Sequence, residues 1–207
     1  MIGRDSYIGI ADVSEGLYKD KGSRFIAYAY PVVSEEDVKP LVDALKKEHH
    51  AARHHCYAYR IGMDGSVFRA NDDGEPSGTA GRQILGAIDS AGLSDVLVVV
   101  VRYFGGILLG VPGLIRAYRE AAGDALANAV TVERIPVRRY GLEFGYEQMN
   151  DVQKLLKSFP GVRTVAQDFD LLCSMQVDVR LSDIENFEKR IKENNDERGT
   201  CIQCRPL

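Results

Sequence analysis

VLVVVVRYFGGILLGVPGLIRAY, residues 96–118, decides the fold. Residues 96–101 are apolar at every position. That pattern marks a central strand, covered on both faces or on one face plus a partner surface. Arg102 ends the run, and residues 103–113 form a glycine-rich loop. Pro112 stands where a helix can begin, and the helix is expected to run to about Ala129. Its inner face is small (Ala121, Ala122, Ala125), which lets it approach a sheet closely.

Upstream, residues 24–33 read as a strand entered through a turn at Lys19-Asp20-Lys21-Gly22. Ser34 caps a helix whose Val38, Leu41, Val42 and Leu45 recur at i, i+3, i+4 and i+7. Residues 55–61 read as a strand, and residues 62–65 as a turn into a short strand ending at Arg69. Residues 71–78 are a loop, and a helix follows from about Ala80 to Gly92.

Downstream, residues 131–136 read as a linker. The rest follows the order βαββαβ. Its second hairpin strand is apolar at every odd position from Leu171 to Leu181, so it buries one face only. Ser182 to Glu185 is a capping box opening the last helix. The fold class expected is α+β in two domains, 1–131 and 137–207.

The 207 residues are 45% hydrophobic and 27% charged, with a net charge of −4. This excludes a disordered tail, a collagen-like chain and a disulfide scaffold. It also excludes a polycation, so bulk non-specific DNA binding is not expected. No apolar run reaches the roughly 18 residues that span a bilayer, and no signal peptide is visible. The expected location is the cytoplasm, with Cys56, Cys173, Cys201 and Cys204 as thiols. On a terminal strand, Cys201 and Cys204 face opposite ways and cannot share a metal.

Three segments carry more polar and glycine specification than packing requires. RHHCYAYRIG begins at Arg53 and holds His54 and His55, adjacent and therefore on opposite faces of a strand. One of them can face a cleft as acid, base or phosphate donor; otherwise both are structural. His49 and His50 are expected at a helix end, in solvent. DDGEPSGTAG begins at Asp72 and crowds Asp72, Asp73 and Glu75 ahead of a helix. It is either a stabilised turn capped by Ser77 or Thr79, or a Mg²⁺ site, or a dock for a basic partner. The third segment places Arg102, Tyr103, Gly105, Gly106 and Arg116 around a strand-to-helix junction. Backbone N–H groups there can cradle an anion, or the loop is only a tight connection. Ile107, Leu108 and Leu109 point to a buried turn or a partner contact.

Together these three motifs, in this order, resemble the IMPACT (YigZ-like) family, from about Ser23 to Ala129. The resemblance implies an S5 domain 2-like first domain, a sheet with helices on one face. It implies a ferredoxin-like second domain resembling a C-terminal domain of elongation factor G. Eukaryotic members regulate translation by blocking activation of the kinase that phosphorylates initiation factor 2. They carry an additional N-terminal interaction domain without a counterpart in this sequence, so that circuit is not carried over. The family has no agreed catalytic residues, and no established catalytic motif is present.

Two functions follow as expectations. One is a cytoplasmic binding or regulatory protein of translation that contacts RNA, the ribosome or a translation factor and needs no cofactor or metal. Arg53, Arg60, Arg102 and Arg116 would supply its phosphate contacts, and Tyr57 and Tyr59, sharing a face, could stack bases. The alternative is a Mg-dependent enzyme on a phosphorylated small molecule or nucleotide. In it, Asp72, Asp73 or Glu75 would bind Mg²⁺, Arg102 and Gly105-Gly106 would hold phosphate, and His54 or His55 would be acid or base. It requires the three segments to converge.

Overall fold

The apolar run becomes β6, Val96–Tyr103, the middle strand of a five-stranded sheet in a computed structural model that describes residues 6–170, 172–198 and 201–207. The other strands are β2 (Ser14–Asp20), β3 (Ser23–Pro31), β4 (His54–Ile61) and β5 (Val67–Asn71), in the order β2-β3-β6-β4-β5 with every pairing antiparallel.

Strand parity assigns the faces. Phe25, Ala27 and Ala29, Val96, Val98 and Val100, and Cys56 and Ala58 form one core with α2 (Gly81–Ala91) and α3 (Gly110–Ala127). Leu97, Val99, Tyr59 and Ile61 lie on the opposite face, packed against α1 (Val38–Glu48) through Val38, Val42 and Leu45. The expectation of helices on one face is therefore corrected: α1 covers the second. Both parities of β6 are apolar, and an uncovered face would leave a large apolar surface in water.

The β2–β3 turn is one residue later than expected. Lys21 and Gly22 are its two central residues, both with positive φ (44° and 79°). That geometry matches the twist of a two-residue hairpin. Residues 131–134 are not linker. They form β7, Thr131–Arg134, paired antiparallel with β1, Tyr7–Ile10. Backbone contacts divide the chain into units over Tyr7–Arg134 and Ile135–Leu207.

The second unit runs β8 (Val137–Gly145), α4 (Met149–Lys157), β9 (Arg163–Phe169), β10 (Leu172–Arg180), α5 (Ile184–Arg198) and β11 (Gln203–Pro206). Strand order is β11-β8-β10-β9. Tyr140, Leu142, Phe144, Cys173, Met175, Val177 and Val179 share one face with the apolar sides of both helices. The other face is polar, with Arg139 on Asp178 at 2.7 Å and Arg205 on Glu143 at 2.7 Å. Leu171, expected as part of this strand, lies outside the described residues. The capping box expected at Ser182 is also corrected. A single 3₁₀ turn over Leu181–Asp183 leads into α5, so Ser182 is already inside the first turn.

The close approach of α3 to β2 is set by one residue. A Cβ on Gly16 would stand 2.2 Å from Ala125 N and 2.8 Å from Ala121 O. Gly16→Ala is expected to cost at least about 1–3 kcal/mol through overpacking. Gly123→Ala, where a Cβ meets nothing within 4 Å, should add about 0.5–1 kcal/mol through helix propensity. Urea unfolding midpoints moving in opposite directions check the pair.

Candidate functional site

At one end of the sheet His54, Arg102 and Phe25 lie in a row across β4, β6 and β3. The loop before α2 folds over this row. Glu75, buried, accepts from Arg102 Nη1 at 2.5 Å and from the Tyr118 hydroxyl at 2.8 Å. His54 Nε2 stands 4.0 Å from the same carboxylate oxygen. His54 Nδ1 lies 2.9 Å from the carbonyl oxygen of Asp73, an acceptor, so Nδ1 carries the proton. Cys56 Sγ sits 2.9 Å from the Asp72 carbonyl and 3.3 Å from the Tyr118 hydroxyl. Burial pushes the Cys56 thiol and the Tyr118 phenol well above their ordinary ranges. Cys56 is thus a protonated packing residue and not a nucleophile.

The acidic loop is held by its own first residues. The Asp72 carboxylate accepts from Gly78 N, Ala80 N and Gly81 N at 2.8, 3.1 and 2.8 Å. Burial raises its pKa, but these three N–H bonds outweigh it and hold the carboxyl below its usual range. Asp72 therefore does the capping expected of Ser77 or Thr79. Thr79 is buried and bonds Pro76 O at 2.7 Å. Asp73 reaches the other way, accepting from His55 N at 2.7 Å and Lys46 Nζ at 3.2 Å.

The opposite face carries a second polar group. His55 is buried there, its Nε2 without a hydrogen-bond partner. His49, expected in solvent, is instead lodged between Tyr28 and Tyr103, each hydroxyl 2.9 Å from a ring nitrogen. His50 is exposed as expected. Tyr59 is buried beneath α1 with its hydroxyl on Glu35, and Tyr57, half-buried, packs against the same core and lines a cavity with it.

The glycine loop commits one of its amides within the chain. Gly105 N donates to Ser23 Oγ at 3.1 Å, and a Cβ there would lie 1.9 Å from Gly22 C. Gly105 is the contact that locks the loop to the β2–β3 turn, and Gly106 (φ 89°) supplies the reversal. Phe104, Ile107, Leu108 and Val111 are exposed, Leu108 by 82%. A cavity of about 580 Å³ opens beside them, lined by Ala51, Arg53, His54, Arg102, Tyr103, Phe104 and Leu108.

The three segments converge, as an enzyme would require, yet their polar groups are bonded to one another. Asp72 points into the α2 cap, Asp73 to the α1 side and Glu75 to Arg102. Among the described residues no three His, Cys, Asp or Glu side chains gather as a metal site. Arg102 is taken by Glu75, and Arg60 by Asp89 at 2.6 Å. The Nε of Arg102 is nevertheless buried without a hydrogen-bond partner. Arg116 is exposed on α3. Sequence reasoning missed Tyr118, Lys46 and His49. Only Tyr118 left a trace, as a large polar aromatic on the small-residue face of α3.

Comparisons with known proteins agree with these motifs. The family model of the Impact N-terminal domain matches residues 21–126. IMPACT family member YigZ of Escherichia coli (strain K12) is 33% identical over 175 residues, 84% of this chain and 85% of that protein. Protein IMPACT homolog of Saccharomyces cerevisiae is 36% identical over 115 residues, 53% of this chain and 43% of that protein. A crystal structure described as a hypothetical protein superposes with a TM-score of 0.71 at 30% identity, covering 98% of both chains.

Removing one member of the Glu75–Arg102 pair leaves a buried charge alone. Arg102→Leu or Glu75→Gln is expected to cost about 3–5 kcal/mol, and Tyr118→Phe about 1 kcal/mol. Urea unfolding of the single and double variants checks this, with the double costing clearly less than the sum.

Burial also lowers the His55 pKa, against the raising effect of Asp73. Its share of stability is complete above the unfolded pKa of about 6.5 and is lost as pH falls toward the folded value. The slope from this one proton is at most about 1.4 kcal/mol per pH unit. Unfolding midpoints from pH 7.5 down to 5.5 should fall less steeply in His55→Asn.

Proposed function

The chain belongs to the IMPACT family, and from that premise we propose that it is a cytoplasmic binding or regulatory protein of translation. It meets a translation component, whether RNA, ribosome or translation factor, through the unit Tyr7–Arg134. The same reading takes that unit as an S5 domain 2-like module. It takes Ile135–Leu207 as a ferredoxin-like module resembling a C-terminal domain of elongation factor G, supported by the βαββαβ order with β8 and β10 central. No helix among the described residues is long and apolar enough to cross a membrane.

One observation carries the binding reading over catalysis. Phe104, Ile107, Leu108 and Val111 stand in solvent on a loop that is itself fixed by Gly105 and Ser23. Exposed apolar groups on a held loop are what an interaction surface requires. Asp72, Asp73 and Glu75 meanwhile bond the backbone, Lys46 and Arg102, and among the described residues no cluster of three His, Cys, Asp or Glu gathers for a metal. No cofactor is proposed.

The test is sedimentation of the full chain with ribosomal fractions from a lysate at low salt. Co-migration is expected, with Leu108→Asp reducing it at least tenfold while the unfolding midpoint stays within error of the parent. A chain that stays at the top of the gradient at low salt, with and without nuclease, sinks the proposal.

A further inference from the structure

Lys19 on β2 sits directly opposite Arg24 on β3, and Arg24 directly opposite Tyr103 on β6. Like charges facing each other across strands repel. The Arg24 guanidinium is 5.1 Å from the centre of the Tyr103 ring, which places it but does not neutralise it. Lys21 occupies the tip of the same turn, and Arg53 precedes β4 at the same end. All four are exposed, and among the described residues none makes an ion pair. Elsewhere in this unit Lys46 pairs with Asp73, Arg60 with Asp89 and Arg102 with Glu75. In a chain of net charge −4, four cations without an ion pair among the described residues therefore gather at one end of one sheet. Of the acids on this face, Glu15 lies four residues down β2 from Lys19, about 13 Å at the strand rise. Glu48 is 3.9 Å from His49.

Arg53 lines the 580 Å³ cavity together with His54, Tyr103, Phe104 and Leu108, and Arg24 reaches its edge from the other face of the sheet, over the Tyr103 ring. Phe104 is 56% exposed, and the Arg102 guanidinium stands 5.7 Å from its ring centre. His54 has its Nδ1 proton committed to Asp73 O, so the ring retains Nε2 as an acceptor. Cations follow a phosphate backbone, an exposed aromatic ring stacks a base, and a fixed acceptor recognises a hydroxyl. An acidic protein would use the cations but not this ring and acceptor.

We propose that this end of the sheet binds single-stranded RNA, with phosphates on Lys19, Arg24 and Arg53, a base on Phe104, and a ribose 2′-hydroxyl donating to His54 Nε2. The proposal rests on the translation reading and narrows it to one partner chemistry.

The experiment is fluorescence anisotropy of the full chain with labelled hexa-uridylate, hexa-deoxyuridylate and a blunt RNA duplex across a salt series. Hexa-uridylate should bind, with a slope of log affinity against log salt near −2, about −0.7 for each of three phosphates. Arg24→Ala and Arg53→Ala should each flatten that slope by about 0.7. Phe104→Ala should weaken binding about tenfold with the slope unchanged. Lys19→Ala should weaken binding while raising the urea midpoint of the free protein, because it relieves the repulsion with Arg24. All four side chains are exposed, and circular dichroism verifies that each variant folds.

No binding at 50 mM salt overturns the proposal. So does equal affinity for the deoxy oligomer or the duplex, or indifference to Arg24→Ala and Arg53→Ala. Sedimentation with ribosomal fractions in a chain that ignores the oligomers overturns it too, but leaves the translation reading standing with a protein partner. Oligomer binding without sedimentation supports the RNA site and removes the ribosome.

Discussion

The buried ion pair between Glu75 and Arg102 joins three stretches of sequence that would otherwise be separate. Arg102 ends the central strand, Glu75 belongs to the loop before α2, and Tyr118 on α3 bonds the same carboxylate oxygen. A carboxylate and a guanidinium taken out of water cost several kcal/mol each, repaid only by good geometry and further hydrogen bonds. The Tyr118 hydroxyl is one such bond. Asp72 anchors the loop to the start of α2, and Asp73 anchors it to β4 and α1. Three acids in four residues are thereby sent in three directions. The pair and these two anchors together lay the loop over the end of the sheet, which brings the Asp73 carbonyl to the His54 ring.

This accounts for what was legible in the sequence. Periodicity identified β6, the amphipathic face of α1 and the small face of α3, because each is a local pattern that burial enforces. It could not show which polar groups would meet. Asp72 caps α2 from nine residues away, beyond the reach of any local capping rule. Arg102 is spent on a partner 27 residues earlier, so it looked available for phosphate. His49 looked solvated because it follows a helix end; its partners Tyr28 and Tyr103 lie 21 and 54 residues away. Thr131–Arg134 looked like linker because the strand it pairs with is Tyr7–Ile10, at the far end of the unit. Each misreading concerns a group whose fate was decided by long-range pairing.

The shared family motifs therefore divide into two kinds of residue. Asp72, Asp73, Glu75, Thr79, Arg102 and Gly105 each hydrogen-bond within the chain. They stitch this fold, and losing Glu75 or Arg102 strands a buried charge. Phe104 and Leu108 stay exposed, and Arg53 and Arg24 make no ion pair among the described residues. Any function of this end must be carried mainly by the second kind, although the first kind holds the residue positions that look most catalytic.

Rigidity links the two sets. Gly22 and Gly105 touch so closely that a side chain on Gly105 would overlap the Gly22 backbone, and Ser23 caps the Gly105 amide. The β2–β3 turn and the glycine loop are consequently one body. Lys19 and Arg24 are held on paired strands, and Tyr103 beside them is bonded to His49. Phe104 follows directly, with the Arg102 guanidinium near its ring. Surface groups fixed in this manner lose little conformational entropy when a ligand arrives, so more of each contact appears as affinity. The repulsion between Lys19 and Arg24 is kept in the free protein because the scaffold beneath them is stable enough to hold it. An anion between the two cations would turn that cost into binding, whereas a chain under selection for stability alone would have replaced one of them.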